Sequence, residues 1–182
     1  MSEKRNGVNE GESENAKPQR KPEDPKRKTR CAFTGHRPQF LKRPEDDVRV
    51  ELENAIMAAI REGFTTFITG GAYGVDLWAA EIVTRLRERN PALHLIAAIP
   101  FPGFEEKWTE EWKQRYNAML AAADFVVFME EKYSRQAYQT RNEWMVSHAA
   151  RLIAVYNGEP SGTRNTIYFA RKIRVNVRTI KG

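Results

Sequence analysis

A single cysteine, Cys31, is all the thiol chemistry that the 182-residue chain offers. That excludes an internal disulfide framework and any cysteine-based zinc cluster, and it favours a reducing compartment. No apolar run approaches the roughly 20 residues that a membrane-spanning helix needs, and the amino terminus lacks the apolar stretch of a secretory signal. The three histidines and scattered carboxylates show no spacing suited to a metal site. There is no Gly-x-Ser-x-Gly elbow, and Cys31 falls inside a predicted strand, a poor place for a nucleophile. These absences predict a cytoplasmic protein that works without membrane, metal or cofactor.

What is present fits one globular domain. Hydrophobic residues make up 41% and charged residues 30%, enough for one real core. The net charge is +6. Residues 1–30 carry nine Lys or Arg against six Asp or Glu, half of that excess. Residues 1–28 have almost no aliphatic side chains, so burial cannot offset their conformational entropy. Residues 1–29 are therefore expected to be a disordered polar tail, and residues 30–182 the single domain. A basic tail can add affinity for phosphate backbones, but a solvated leader is the better reading.

From Arg30 onward, short apolar runs alternate with helical patterns. Strands are predicted at 30–34, 64–69, 93–99, 124–129, 152–156 and 174–180. Helices are predicted at 47–61, 75–89, 110–122, 139–150 and 163–172. The order predicts an α/β, Rossmann-like, three-layer fold with a mostly parallel sheet flanked by helices. The unbroken run Phe125-Val126-Val127-Phe128 reads as a strand buried on both faces. Ligands of such folds bind beyond the carboxyl ends of the strands, so candidate residues are sought in the loops there.

The stretch Ile68-Thr69-Gly70-Gly71-Ala72-Tyr73-Gly74-Val75-Asp76 leaves a strand and opens a helix, where backbone amides and the helix dipole can hold an anion. It is neither a Walker loop nor a clean dinucleotide fingerprint. Gly70, Gly71 and Gly74 would let a phosphate approach the main chain, and Asp76 would cap the helix or face a ribose hydroxyl. Thr34-Gly35-His36-Arg37-Pro38 follows the first strand, and Arg37 suits a phosphate through its planar fork. Gly162 and Thr163, in the turn after residue 156, are further candidate donors. So are Arg141 and Asn142, read as opening a helix that faces the strand ends. Trp78 and Trp108 flank the proposed edge.

Three of these stretches together resemble a known family. They are Thr34-Gly35-His36-Arg37-Pro38, the run from Gly70 through Asp76 and Trp78 to Glu81, and Tyr156-Asn157-Gly158 with Ser161-Gly162-Thr163. Residues 30–182 are similar to the YpsA-related proteins of the SLOG superfamily, which includes DprA-like and LOG-like Rossmann domains. The resemblance implies binding of a nucleotide or nucleotide-derived ligand by a bacterial sensor or regulatory protein. LOG-like relatives cleave the N-glycosidic bond of nucleoside monophosphates with a Pro-Gly-Gly-x-Gly-Thr-x-x-Glu motif. The matching turn here has Ser161 for one glycine and Thr166 for the glutamate, which removes the carboxylate that such hydrolysis needs. Glu81 and Asp76 are the substitutes available to an enzyme. A DprA-like single-stranded DNA binder is the third reading, not the favoured one. Self-association stays open.

Overall fold

A computed structural model describes residues 24–182. The sheet has six strands: β1 (Arg30–Gly35), β2 (Thr66–Thr69), β3 (His94–Ile99), β4 (Phe125–Phe128), β5 (Arg151–Tyr156) and β6 (Asn176–Lys181). Five helices alternate with them: α1 (Glu45–Arg61), α2 (Val75–Arg87), α3 (Glu110–Ala122), α4 (Arg135–Ser147) and α5 (Gly162–Lys172). The strand order is β4-β3-β2-β1-β5-β6, and each neighbouring pair is parallel. This is the Rossmann-like sandwich that the alternation of patterns predicts.

Two apolar layers hold it together. Leu52 and Ile56 of α1, Leu77 and Trp78 of α2 and Met119 of α3 pack with Phe33, Phe67 and Leu95 on one face. Met145 and Val146 of α4 and Ile167 of α5 pack with Ile68 and Leu152 on the other. Glu45, Asp46 and Asp47 fill the first turn of α1, where carboxylates complement the helix dipole. Ser134 caps α4, its Oγ accepting the Ala137 N–H at 2.9 Å. That cap starts α4 four residues before the apolar pattern does, and it places Arg141 and Asn142 in mid-helix rather than at the opening.

Three further expectations change. β4 is not a central strand but the edge of the sheet, with Phe125 55% and Phe128 44% exposed. A continuous apolar run fits a two-sided burial pattern, yet nothing in it reports whether a neighbour lies on both sides. Pro25–Thr29, assigned to the tail, form a 3-10 turn anchored by Arg27, whose Nε donates to the Ala149 carbonyl at 3.0 Å. The rest of the tail lies outside the described residues. β6 begins at Asn176 rather than Arg174, because Arg174 takes a positive φ of 61° in the turn that reverses the chain. Among the described residues no helix is long and apolar enough to cross a membrane.

Candidate ligand-binding site

β1 and β2 are adjacent, so the loops that leave their carboxyl ends meet. Gly74 has φ 92°, and a Cβ there would lie 2.8 Å from Pro38 Cδ and 3.1 Å from the His36 carbonyl oxygen. Its glycine identity is set by this loop-to-loop contact. Gly35 likewise abuts Val75. Thr34 and His36 are both buried. The His36 ring stacks on Tyr156 of β5 at 5.7 Å, and burial pushes its pKa below the ordinary imidazole value.

The glycine loop is organised from inside. Thr69 Oγ1 donates to the Asp76 carbonyl at 2.8 Å and accepts the Gly71 N–H at 3.2 Å. Asp76 Oδ2 accepts the Ala72 N–H at 3.3 Å. Arg141, buried in α4, donates through Nη1 to the Gly70 carbonyl and through Nε to Asn142 Oδ1 at 2.8 Å. A Cβ at Gly70 would strike Arg141 Nη1 and lie 2.7 Å from Asp76 Oδ2. One cation and one carboxylate thus converge on the bare Cα of Gly70. Burial raises the Asp76 pKa from 3.8 to about 6, against the opposing pull of Arg141 and of the Ala72 amide. Burial also lowers that of Arg141, with Asp76 opposing it.

The open space lies beside this loop. A cavity of about 650 Å³ sits at the carboxyl ends of the strands. Seven aromatic residues line it: Tyr73, Phe101, Phe104, Trp108, Trp112, Tyr133 and Tyr138. Trp108 meets Tyr73 edge-on at 5.2 Å and Phe104 at 4.9 Å, while Tyr133 meets Phe101 at 5.4 Å. Arg37 also lines the cavity, with its guanidinium carbon 4.5 Å above the Tyr73 ring. Lys107 and Glu106 add charge at the wall. The arrangement offers flat apolar surfaces and an exposed cation, which suits a planar ring carrying negative charge.

Of the residues predicted from sequence, Arg37 and Trp108 line this cavity. Gly70, Gly71, Gly74, Asp76 and Arg141 build the shelf beside it instead of its surface, since protein atoms crowd the glycines and both charged side chains are buried. Asn142, half-buried and bonded through Oδ1 to Arg141, does not line the cavity. Gly162 and Thr163 follow β5, on the far side of β1, and neither lines the cavity. Two expectations are corrected. Trp78 is fully buried in the apolar layer under α2 and does not flank the ligand edge. Glu81 is no free acid: its carboxylate accepts two bonds from Arg115, at 2.6 and 2.7 Å, and lies 3.6 Å from Arg49. Cys31 is fully buried and its thiol pKa is pushed up to about 12, which makes it inert. The sequence reading missed most of the aromatic wall, although Phe101, Phe104, Trp108, Trp112 and Tyr116 crowd the stretch after β3.

Comparison with known proteins agrees with this architecture. The profile of the YspA SLOG family matches residues 31–178. The chain belongs to that family. Among relatives of this SLOG chain, the SPbeta prophage-derived protein YoqJ of Bacillus subtilis is 34% identical over 140 residues, covering 68% of this chain and 82% of YoqJ. A UPF0398 protein of Bacillus pumilus is 32% identical, covering 72% of this chain and 75% of its own. In three dimensions the fold is similar to DNA processing protein A of Helicobacter pylori, which binds single-stranded DNA. The TM-score is 0.60 at 17% identity, over 84% of this chain and 65% of that one. The Streptococcus pneumoniae counterpart gives 0.61 at 19%, over 86% and 52%. At these identities the likeness is one of fold.

Proposed function

We propose that this SLOG-family protein binds a nucleotide or nucleotide-derived ligand in the aromatic cavity and acts as a sensor or regulatory protein. The observation that carries the reading is the pairing of an aromatic-walled cavity with Arg37 at the carboxyl ends of the strands. A base or a second ring stacks on the aromatic wall, and Arg37 takes a phosphate through charge-assisted hydrogen bonds. The loop from Gly70 to Asp76 holds Tyr73 in place. Binding without turnover is favoured over N-glycosidic hydrolysis, because both carboxylates considered for that chemistry are committed elsewhere. Glu81 is tied to Arg115, and Asp76 to the loop and Arg141.

A thermal-shift series with nucleoside monophosphates, dinucleotides and ADP-ribose-type compounds tests this. A ligand at about 100 times its Kd adds about 2.7 kcal/mol, worth about 5–10 °C in a domain of this size. Arg37→Gln should weaken the ligand about 10- to 100-fold, the worth of a hydrogen bond to a charged group, and shrink the shift at fixed concentration. If no compound shifts the melting, or Arg37→Gln leaves the shift intact, the reading fails.

A further inference from the structure

The two edges of the sheet are built differently. β6 is guarded: Arg178 and Lys181 are exposed along it, and Arg43 Nη1 donates to the Lys181 carbonyl at 3.1 Å. β4 has no such protection. Its residues Phe125-Val126-Val127-Phe128 contain neither charge nor proline, and Phe125 and Phe128 are 55% and 44% exposed. Natural sheets block bare edges with charge, proline or a covering segment, because free amides and carbonyls pair with any strand that fits.

The ladder with β3 decides which groups are free. Phe128 pairs with Ile99, and the Met129 N–H donates to the Ile99 carbonyl at 2.9 Å. Backbone groups alternate along a strand, so Val127 and Met129 turn theirs inward to β3, and Val126 and Phe128 turn theirs to the open edge. Side chains alternate as well. Val126 packs with the layer under α1, α2 and α3, whereas Val127 and Met129 pack with the layer under α4 and α5.

We propose that β4 is the interface of a homodimer, pairing antiparallel with β4 of a second copy about a two-fold axis at Val127. A two-fold normal to the sheet keeps each face on its own side and uses the same patch on both copies. Val126 then faces Phe128 of the copy, and each such pair exchanges both of its N–H···O bonds. Phe125 faces Met129 of the copy, so every cross-strand pair is apolar. Moving the axis to Val126 would set Phe128 against Asp124. Charge agrees with this register. Glu130 and Glu131, neither of them in an ion pair among the described residues, come beside the amino end of the other β4. Arg87 stands there, donating to the Ala122 carbonyl at 2.8 Å and to Asp124 Oδ2 at 3.0 Å. Acid of one copy thus meets cation of the other at both ends of the joint. Strand pairing alone buries less than the roughly 800 Å² per partner of a standard interface. α3, which packs on α2 and leads into β4, adds to it. From Gln114 onward its exposed residues are Gln114, Asn117, Ala118 and Ala121, none of them charged. A contact of this small class is weak, so monomer and dimer exchange with concentration. The inference does not rest on the cavity reading.

Sedimentation equilibrium of the full chain, from low micromolar to submillimolar concentration, tests it. The mass should rise from one chain to two and stop there, since the pairing uses up the open edge. Phe128→Lys, at an exposed position that the fold does not need, should raise the dissociation constant at least about 30-fold, as loss of a central anchor does. Val127→Cys reads the register and keeps a small apolar side chain in place. At the axis the two Cα atoms lie about 4.5 Å apart, within reach of a disulfide. Mild oxidation should therefore join two chains through Val127→Cys, and a thiol reductant should part them. Cys31 is buried and does not compete. Thr179→Cys, exposed on β6, should stay unlinked under the same conditions. The proposal is overturned by any of four results. These are a single-chain mass at the highest concentration, growth beyond two chains, a dimer undiminished in Phe128→Lys, or Thr179→Cys linking as readily as Val127→Cys.

Discussion

At the scale of single residues, the most constrained point is the meeting of Gly70, Asp76 and Arg141. Burial outweighs the attraction of Arg141, so the folded protein holds the Asp76 carboxyl at about 6 rather than 3.8. The neutral form is therefore favoured by folding. Its stabilising contribution is complete below about pH 3.8 and is lost as the pH climbs through about 6. Asp76→Asn keeps the shape and cannot ionise. In urea unfolding at a series of pH values the variant should match wild type near pH 4 and gain on it by up to about 3 kcal/mol at pH 7. A variant that loses ground at neutral pH would show that the charged pair with Arg141 wins instead. His36 works in the opposite sense, because its lowered pKa removes stability as the pH falls, so the difference between variant and wild type is the quantity to follow. The sequence marked Asp76, Arg141 and the glycines as special but not why. Glycine motifs at a strand end look the same whether the absent Cβ makes room for a phosphate or for the protein's own guanidinium.

At the scale of elements, the helices and most strands were legible because their apolar periodicity and stops are local properties. The start of α4 was not, since Ser134 caps a polar first turn that periodicity cannot see. The place of β4 was not legible either, because strand order is a property of the whole sheet. Phe125→Ala checks that placement. A Phe in the centre of the sheet costs about 3–5 kcal/mol on truncation. Phe125, 55% exposed on the edge, should cost under about 1.5 kcal/mol in thermal unfolding and should raise the temperature at which light scattering begins, since an exposed apolar edge promotes sheet-to-sheet association. A loss of 3 kcal/mol or more would place the strand inside.

At the scale of the whole molecule, the sheet has two poles. The carboxyl ends of β1 to β4 open onto aromatic rings and Arg37, whereas Lys26, Lys28, Arg171, Lys172 and Arg174 lie exposed where the chain enters β1 and β6. The first pole was anticipated as a location but not in composition: Tyr133 and Tyr138 are distant in sequence from Phe101, and only the pairing of β3 with β4 brings the segment after β3 beside Tyr133 and the first turn of α4. The second was hidden because sequence order separates residues 24–30 from 171–176, and only the shared pairing of β1 and β6 with β5 brings them to the same end of the sheet.

A ligand stacked in the aromatic cavity lies against tryptophan rings, so tryptophan fluorescence reports its binding. Trp108 and Trp112 line that space, Trp78 is buried in the core, and Trp144 is stacked on His148 at 4.1 Å. Titration with a stabilising nucleotide should quench the wild-type protein saturably. Trp108→Phe/Trp112→Phe should abolish the quench while the thermal shift persists, because phenylalanine still offers a face for stacking. Quenching that survives in the double variant, or stabilisation without quenching in wild type, would contradict the claim and place the ligand elsewhere.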